Sequence, residues 1–246
     1  NYIIANGCGI INYIATVNVK ITMKMSLLDV FTPHYCCSCG MIGAILCDNC
    51  KNNIISRASR RCLLCAKTIR NSSGLCQRCQ PRAPFENAWY VGERSGALKL
   101  LIGAYKFERV GSAYREIVDL LDTRVSELPV ETIVVPVPTI ASHVRQRGFD
   151  HAARLAKEFA RRRKLPYRTI LHRRTSSVQH TADKSERWQQ AKQAFVCDSS
   201  EAASCLLIDD IYTTGATLHY AAKALLASGF EKVSVAVVAR QPTQGS

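Results

Sequence analysis

Apolar residues in this chain fall into short, nearly continuous runs separated by longer segments in which they recur every three or four positions. Residues 205–208 (Cys-Leu-Leu-Ile) form one such run, 132–137 and 232–239 two more, and 87–91 a shorter one. Runs of this kind predict parallel strands covered on both faces. Between them the period lengthens. Residues 97–105 place Leu98, Leu101, Ile102 and Tyr105 on one helical face, and 112–125 predicts a second helix. Residues 150–163 set Leu155 and Phe159 against a basic face of Arg154, Lys157, Arg161 and Arg162, and 216–228 predicts a further helix. Strands alternating with helices predict an α/β fold with a mainly parallel sheet flanked by helices.

The periodicity stops short of the first eighty residues, and residues 81–84 (Pro-Arg-Ala-Pro) break any regular element. The chain therefore divides into a segment 30–82, a domain 86–246 and an N-terminal extension 1–29. That extension is apolar but interrupted by Asn6, Asn12, Asn18 and Lys20, and it lacks the charged start and cleavage site of a signal peptide. It is expected to be disordered, or to lie upstream of a start at Met23 or Met25. No run of about 18 apolar residues occurs, which argues against membrane insertion.

With 246 residues, one α/β domain and a small module can be accommodated. The formal charge of +14 is uneven: residues 30–85 carry a net +7 and residues 143–174 a net +9, on an otherwise nearly neutral chain. Two basic blocks favour a polyanionic partner, because phosphate contacts supply most non-specific nucleic-acid affinity. Candidate nucleic-acid contacts are Arg154, Arg161, Arg162, Arg163 and Lys164.

Eight of the twelve cysteines form four Cys-x-x-Cys knuckles: Cys36/Cys39, Cys47/Cys50, Cys62/Cys65 and Cys76/Cys79. Each knuckle puts two thiolates on one side of a metal, so two knuckles complete a tetrahedral Cys₄ zinc site. Two structural zinc ions are expected, pairing 36/39 with 47/50 and 62/65 with 76/79 in the simplest arrangement; spacing also admits an interleaved pairing. Cys37 could stand in for Cys36 by a register slip.

The strand at 205–208 leads into Asp209 and Asp210, expected to emerge at its carboxyl end, where open α/β sheets bind ligands. Thr213, Thr214, Gly215, Ala216 and Thr217 follow at the start of a helix, offering backbone N–H groups and hydroxyls to an anion. Walker-type spacing and lysine are missing, as is the dinucleotide fingerprint. The arrangement suits a sugar phosphate: carboxylates on the ribose 2′- and 3′-hydroxyls, loop on the 5′-phosphate. A second loop at a strand end, running from Pro138 through Arg145 and Arg147, has arginines suited to bidentate grip of pyrophosphate. Residues 173–195 are polar and aperiodic, fitting a lid with Gln179 and Arg187, or a solvated hairpin.

The 209–217 stretch resembles the phosphoribosyl-pyrophosphate (PRPP) loop of type I phosphoribosyltransferases. From about residue 30 onward the chain resembles the ComF/ComFC family. The resemblance rests on the four knuckles, Tyr105-Lys106-Phe107, Val-Pro-Val-Pro138, Arg145-Gln-Arg147-Gly-Phe149, Gln179, Arg187, Ala194-Phe195 and the run 209–217. Asp150-His151 and Gln190 depart from the family pattern, which has Asn-Gln and Asn there. The resemblance implies a double zinc ribbon joined to a phosphoribosyltransferase-like domain, in a bacterial cytoplasmic protein serving DNA uptake during natural transformation. PRPP with Mg²⁺ and single-stranded DNA are the expected ligands; if the chain is a transferase, Asp209 and Asp210 are its catalytic residues, partly holding Mg²⁺ that bridges pyrophosphate and the ribose hydroxyls. Two other readings stand: an active transferase on an unidentified nitrogen acceptor, and an assembly factor docking a competence helicase. Thr213 stands where purine-salvage enzymes carry a base-side aspartate, so this loop names no acceptor.

Overall fold

The protein is described here from a computed structural model covering residues 34–57, 61–106, 113–174, 194–198 and 202–242. Four parallel strands form the central sheet: β1 (Asn87–Glu93), β2 (Ile133–Pro136), β5 (Ser204–Tyr212) and β6 (Lys232–Arg240), in spatial order β1-β6-β5-β2. β3 (Leu171–Arg173) and β4 (Phe195–Cys197) make a separate antiparallel pair. The polar stretch between them, including Gln179 and Arg187, lies outside the described residues.

The sheet is buried on both faces, as its continuous apolar strands require. On one face Leu206, Ile208, Val134 and Val238 pack with Leu98, Leu101 and Ile102 of α2 (Gly96–Lys106). The same layer takes Ile117 and Leu121 of α3 (Ala113–Asp122) and Leu155 and Phe159 of α5 (His151–Arg163). On the other face Leu207, Val235 and Val237 pack against Leu218, Ala222 and Leu225 of α6 (Ala216–Ala227).

Segment 34–82 straddles β1. Its first half, with α1 (Asp48–Arg57), sends Leu46 and Ile54 into the first layer; its second half sends Leu63 and Leu75 into the other. β1 is an edge strand, and its outer side is covered rather than left open. Ala88 N–H donates to Ser73 O (2.7 Å) and the Trp89 indole to Ser72 O (3.1 Å). Gly74 permits the approach: a Cβ there would meet Ala88 O at 1.6 Å. Arg240, buried at the end of β6, donates to Leu63 O (2.9 Å) and to Glu93 Oε1 (3.1 Å), tying the second half of the segment to two strand ends.

Two expectations are corrected. Asp209 and Asp210 do not lie beyond their strand; β5 continues to Tyr212 because β6 keeps pairing with it, Asp209 opposite Val237 and Ile211 opposite Ala239. Only β2 has stopped, at Pro136 opposite Ile208. The expected loop through Arg145 and Arg147 is largely a short helix, α4 (Ala141–Arg147), ended where Gly148 adopts φ +85° and donates to Val144 O.

Candidate functional site

The early end of β2 leaves the last four residues of β5 uncovered on that side, and a cleft of about 340 Å³ opens there. Asp209, Asp210, Thr213, Thr217 and Pro138 all line it. Beyond β5 the chain turns at Gly215, the N-cap of α6. Gly215 has φ +84°, and a Cβ on it would lie 2.5 Å from the Tyr212 hydroxyl oxygen and 2.9 Å from two ring carbons. Only glycine meets both demands. Thr214 Oγ1 accepts from Ala216 N–H (3.4 Å), shaping the turn. The first turn of a twelve-residue helix therefore faces the cleft with its backbone donors and positive dipole end.

Three cations share the cleft: Lys106, Arg94 and Arg173. Lys106, at the end of α2, is 9 % exposed and its ammonium pairs directly with Asp210 Oδ2. Asp209 Oδ1 accepts from Asp210 N–H (2.8 Å). Burial, and next the Asp210 carboxylate, push the Asp209 carboxyl up to about 8. Arg173 is held below its usual range by burial, opposed by the attraction of Asp209. Lys106 follows the apolar face of α2 directly, a lysine where the periodicity calls for a buried residue; that was the available signal. Arg94 and Arg173 gave none beyond their charge.

Arg145 is exposed on α4 and is not among the cleft-lining residues; the Arg147 side chain lies outside the described residues. Asp150 is an N-cap: its Oδ1 accepts from Ala153 N–H (3.0 Å) and Thr139 Oγ1 (2.8 Å). It thus ties the cleft-lining Thr139 to α5. Beside it Tyr105 donates to His151 O (2.9 Å), with ring centroids 5.5 Å from Phe149 and 5.0 Å from His151. The Tyr105 and 148–151 motifs therefore build the cleft's supporting wall.

The basic face of α5 is mostly engaged within the molecule. Arg161 and Arg162 both bind Glu158, Arg162 also pairs with Asp119, and Arg163 pairs with Asp122 and donates to Val125 O (2.9 Å). Arg154 stacks over the Tyr114 ring (4.2 Å). Lys164 caps the helix with φ +55°.

Two four-cysteine clusters are present, Cys36/Cys39/Cys47/Cys50 and Cys62/Cys65/Cys76/Cys79, each with all sulfurs within 4.8 Å of one another. A ZnS₄ tetrahedron with Zn–S near 2.3 Å needs sulfurs about 3.8 Å apart. The Cys39–Cys47 and Cys65–Cys76 separations are both 3.6 Å, and Cys47 N–H points at Cys36 Sγ (3.5 Å). The donor set fits two zinc ions. Pairing is sequential, and Cys37 stays outside the clusters, packed against the core. Divalent magnesium is another matter. One Asp210 oxygen is taken by the Lys106 ammonium, and Asp209 Oδ1 is taken by the Asp210 backbone N–H. The acid pair does not fit a direct magnesium site.

The phosphoribosyl transferase domain family matches residues 144–246. Competence protein F of Haemophilus influenzae is 25 % identical over 208 residues, covering 79 % of this chain and 90 % of that protein. DNA utilization protein YhgH of Salmonella typhi is 27 % identical over 198 residues, covering 71 % and 87 %. Over most of its length this chain is similar to competence protein F and its relatives. Competence protein ComFC of Bacillus subtilis is 37 % identical over 98 residues, 39 % of each chain. No helix among the described residues is long and apolar enough to cross a membrane.

Proposed function

We propose that this protein binds PRPP in the cleft beside β5 and holds single-stranded DNA, acting on incoming DNA during natural transformation. The observation that carries the reading is the juxtaposition of Asp209 and Asp210 with the Gly215-locked turn at the start of α6. The turn's amides and the helix dipole favour a phosphate, and the carboxyl pair favours hydroxyls. Arg94 and Arg173 favour further phosphate on the same ligand. The names of the relatives, competence protein and DNA utilization protein, support the DNA part.

Arg162 and Arg163 serve that part poorly, since binding DNA would break their ion pairs with Asp119 and Asp122 of α3. The second cysteine cluster serves it better. Arg61, Lys67, Arg70, Arg78 and Arg82 are all exposed, and no acid occurs between Asp48 and Glu86. Calorimetric titration with PRPP, comparing wild type with Asp210→Asn, tests the cleft: saturable binding weakened by the substitution supports it, and absence of binding rejects it. Anisotropy with single-stranded DNA across a salt series tests the other half. Log affinity should fall linearly with log salt, and salt-independent binding would reject an electrostatic DNA interface. Pyrophosphate release from PRPP with a nitrogen base would extend the reading to catalysis.

A further inference from the structure

A buried lysine bonded to the acid that should grip a sugar is the feature the fold does not require. Lys106 continues the buried face of α2 (Leu98, Leu101, Ile102, Tyr105), lines the cleft with 9 % exposure and pairs with Asp210, itself 19 % exposed. A buried ammonium is costly unless paired and hydrogen-bonded. The ammonium has three donors, and Asp210 Oδ2 engages one direction only. The cleft also holds Arg94 and Arg173, so its cations match or exceed its carboxylates without any added ion.

We propose that Lys106 is the resident cation of the cleft, taking on Asp210 the place a divalent ion would need and presenting its remaining donors to the oxygens of a phosphorylated sugar. Binding of such a ligand is then independent of magnesium. A divalent ion would have to displace Lys106 before reaching Asp210, leaving the lysine buried without its partner. This inference rests on the cleft being a phosphorylated-sugar site.

The probe is ribose 5-phosphate, which lacks the pyrophosphate that would itself chelate magnesium. Zinc-loaded full-length protein is titrated calorimetrically in metal-depleted buffer and again with millimolar Mg²⁺. Wild-type affinity is expected to change less than about twofold between the two buffers. Lys106→Met removes the charge at nearly constant length; it is expected to weaken binding in metal-depleted buffer by about tenfold or more, the scale of a lost charge-assisted hydrogen bond. Part of that loss should return on adding Mg²⁺, which can now reach Asp210. Lys106→Arg keeps the charge and should remain magnesium-independent, so the inference is testable even if the methionine variant does not fold. A wild-type affinity that rises about tenfold with Mg²⁺, or a folded Lys106→Met protein that binds like wild type in metal-depleted buffer, would overturn it. No binding of ribose 5-phosphate in either buffer would instead overturn the cleft reading, and this inference with it.

Discussion

Alanine at Gly215 tests how tightly the phosphate-facing turn is built. The new Cβ would sit 2.5 Å from the Tyr212 hydroxyl oxygen and 2.9 Å from two of its ring carbons, and Tyr212 is packed in the core under the turn. The left-handed backbone costs an alanine about 1–2 kcal/mol, and forcing the ring aside costs about 1–3 kcal/mol more. Gly148 supplies the control. Its φ is +85° against +84°, yet a Cβ there meets no atom within 4 Å. Gly148→Ala should therefore show only the backbone cost of about 1–2 kcal/mol, and Gly215→Ala a total of about 2–5 kcal/mol. Urea unfolding of both zinc-loaded variants, followed by circular dichroism, gives the difference. Equal destabilisation would refute the claim that Tyr212 buttresses the turn. Because a displaced ring also moves the turn's amides, Gly215→Ala should bind PRPP about tenfold more weakly or worse.

Asp209 makes stability depend on pH: the folded form keeps a proton up to about 8 that the unfolded chain loses near 3.8, so stability should fall as pH rises between those values and level off above. Asp209→Asn should flatten that slope in urea titrations at stepped pH, and an unchanged slope would exclude Asp209 as its source. Cys65→Ser should lower bound zinc from two ions per chain to one by colorimetric assay. It should also lower the melting temperature of the sheet, because Leu63 and Leu75 of that cluster's loops share its core; loss of zinc with an unchanged melting temperature would contradict the shared core. Arg163→Ala removes bonds to Asp122 O (3.0 Å) and Val125 O (2.9 Å) at the end of α3, and should cost about 1–3 kcal/mol of stability without changing single-stranded DNA affinity. Arg78→Glu should do the reverse, weakening DNA binding and lowering the salt slope by about 1 or more.

The strands were legible because a parallel strand covered on both faces has to be apolar throughout, and 205–208 and 232–239 are. Their ends were not. Where β5 stops depends on β6 continuing to pair with it through Tyr212 opposite Arg240, a partner 28 residues away in sequence. The zinc ligands were legible because metal geometry is local and the Cys-x-x-Cys spacing encodes it. The docking of the same segment onto β1 was hidden, since it depends on Gly74 and Ser73 meeting Ala88 by shape. In the cleft, Asp209, Asp210, Thr213 and Thr217 could be grouped from sequence because they are consecutive along one strand and turn. Lys106, Arg94 and Arg173 could not, as they arrive from three other elements. On the basic face of α5 the ion pairs were hidden for the same reason: charge counting sees Arg162 and Arg163 but not Asp119 and Asp122 of α3 packed beside them.

The central claim is that the hollow between the end of β2 and the start of α6 receives a phosphorylated ribose. A crystal structure with ribose 5-phosphate bound addresses it most directly. The phosphate should lie within hydrogen-bonding distance of backbone amides in the 213–217 turn, with the ring hydroxyls facing Asp209 and Asp210. A ligand seated anywhere else, or a turn whose amides face away from it, would contradict the account.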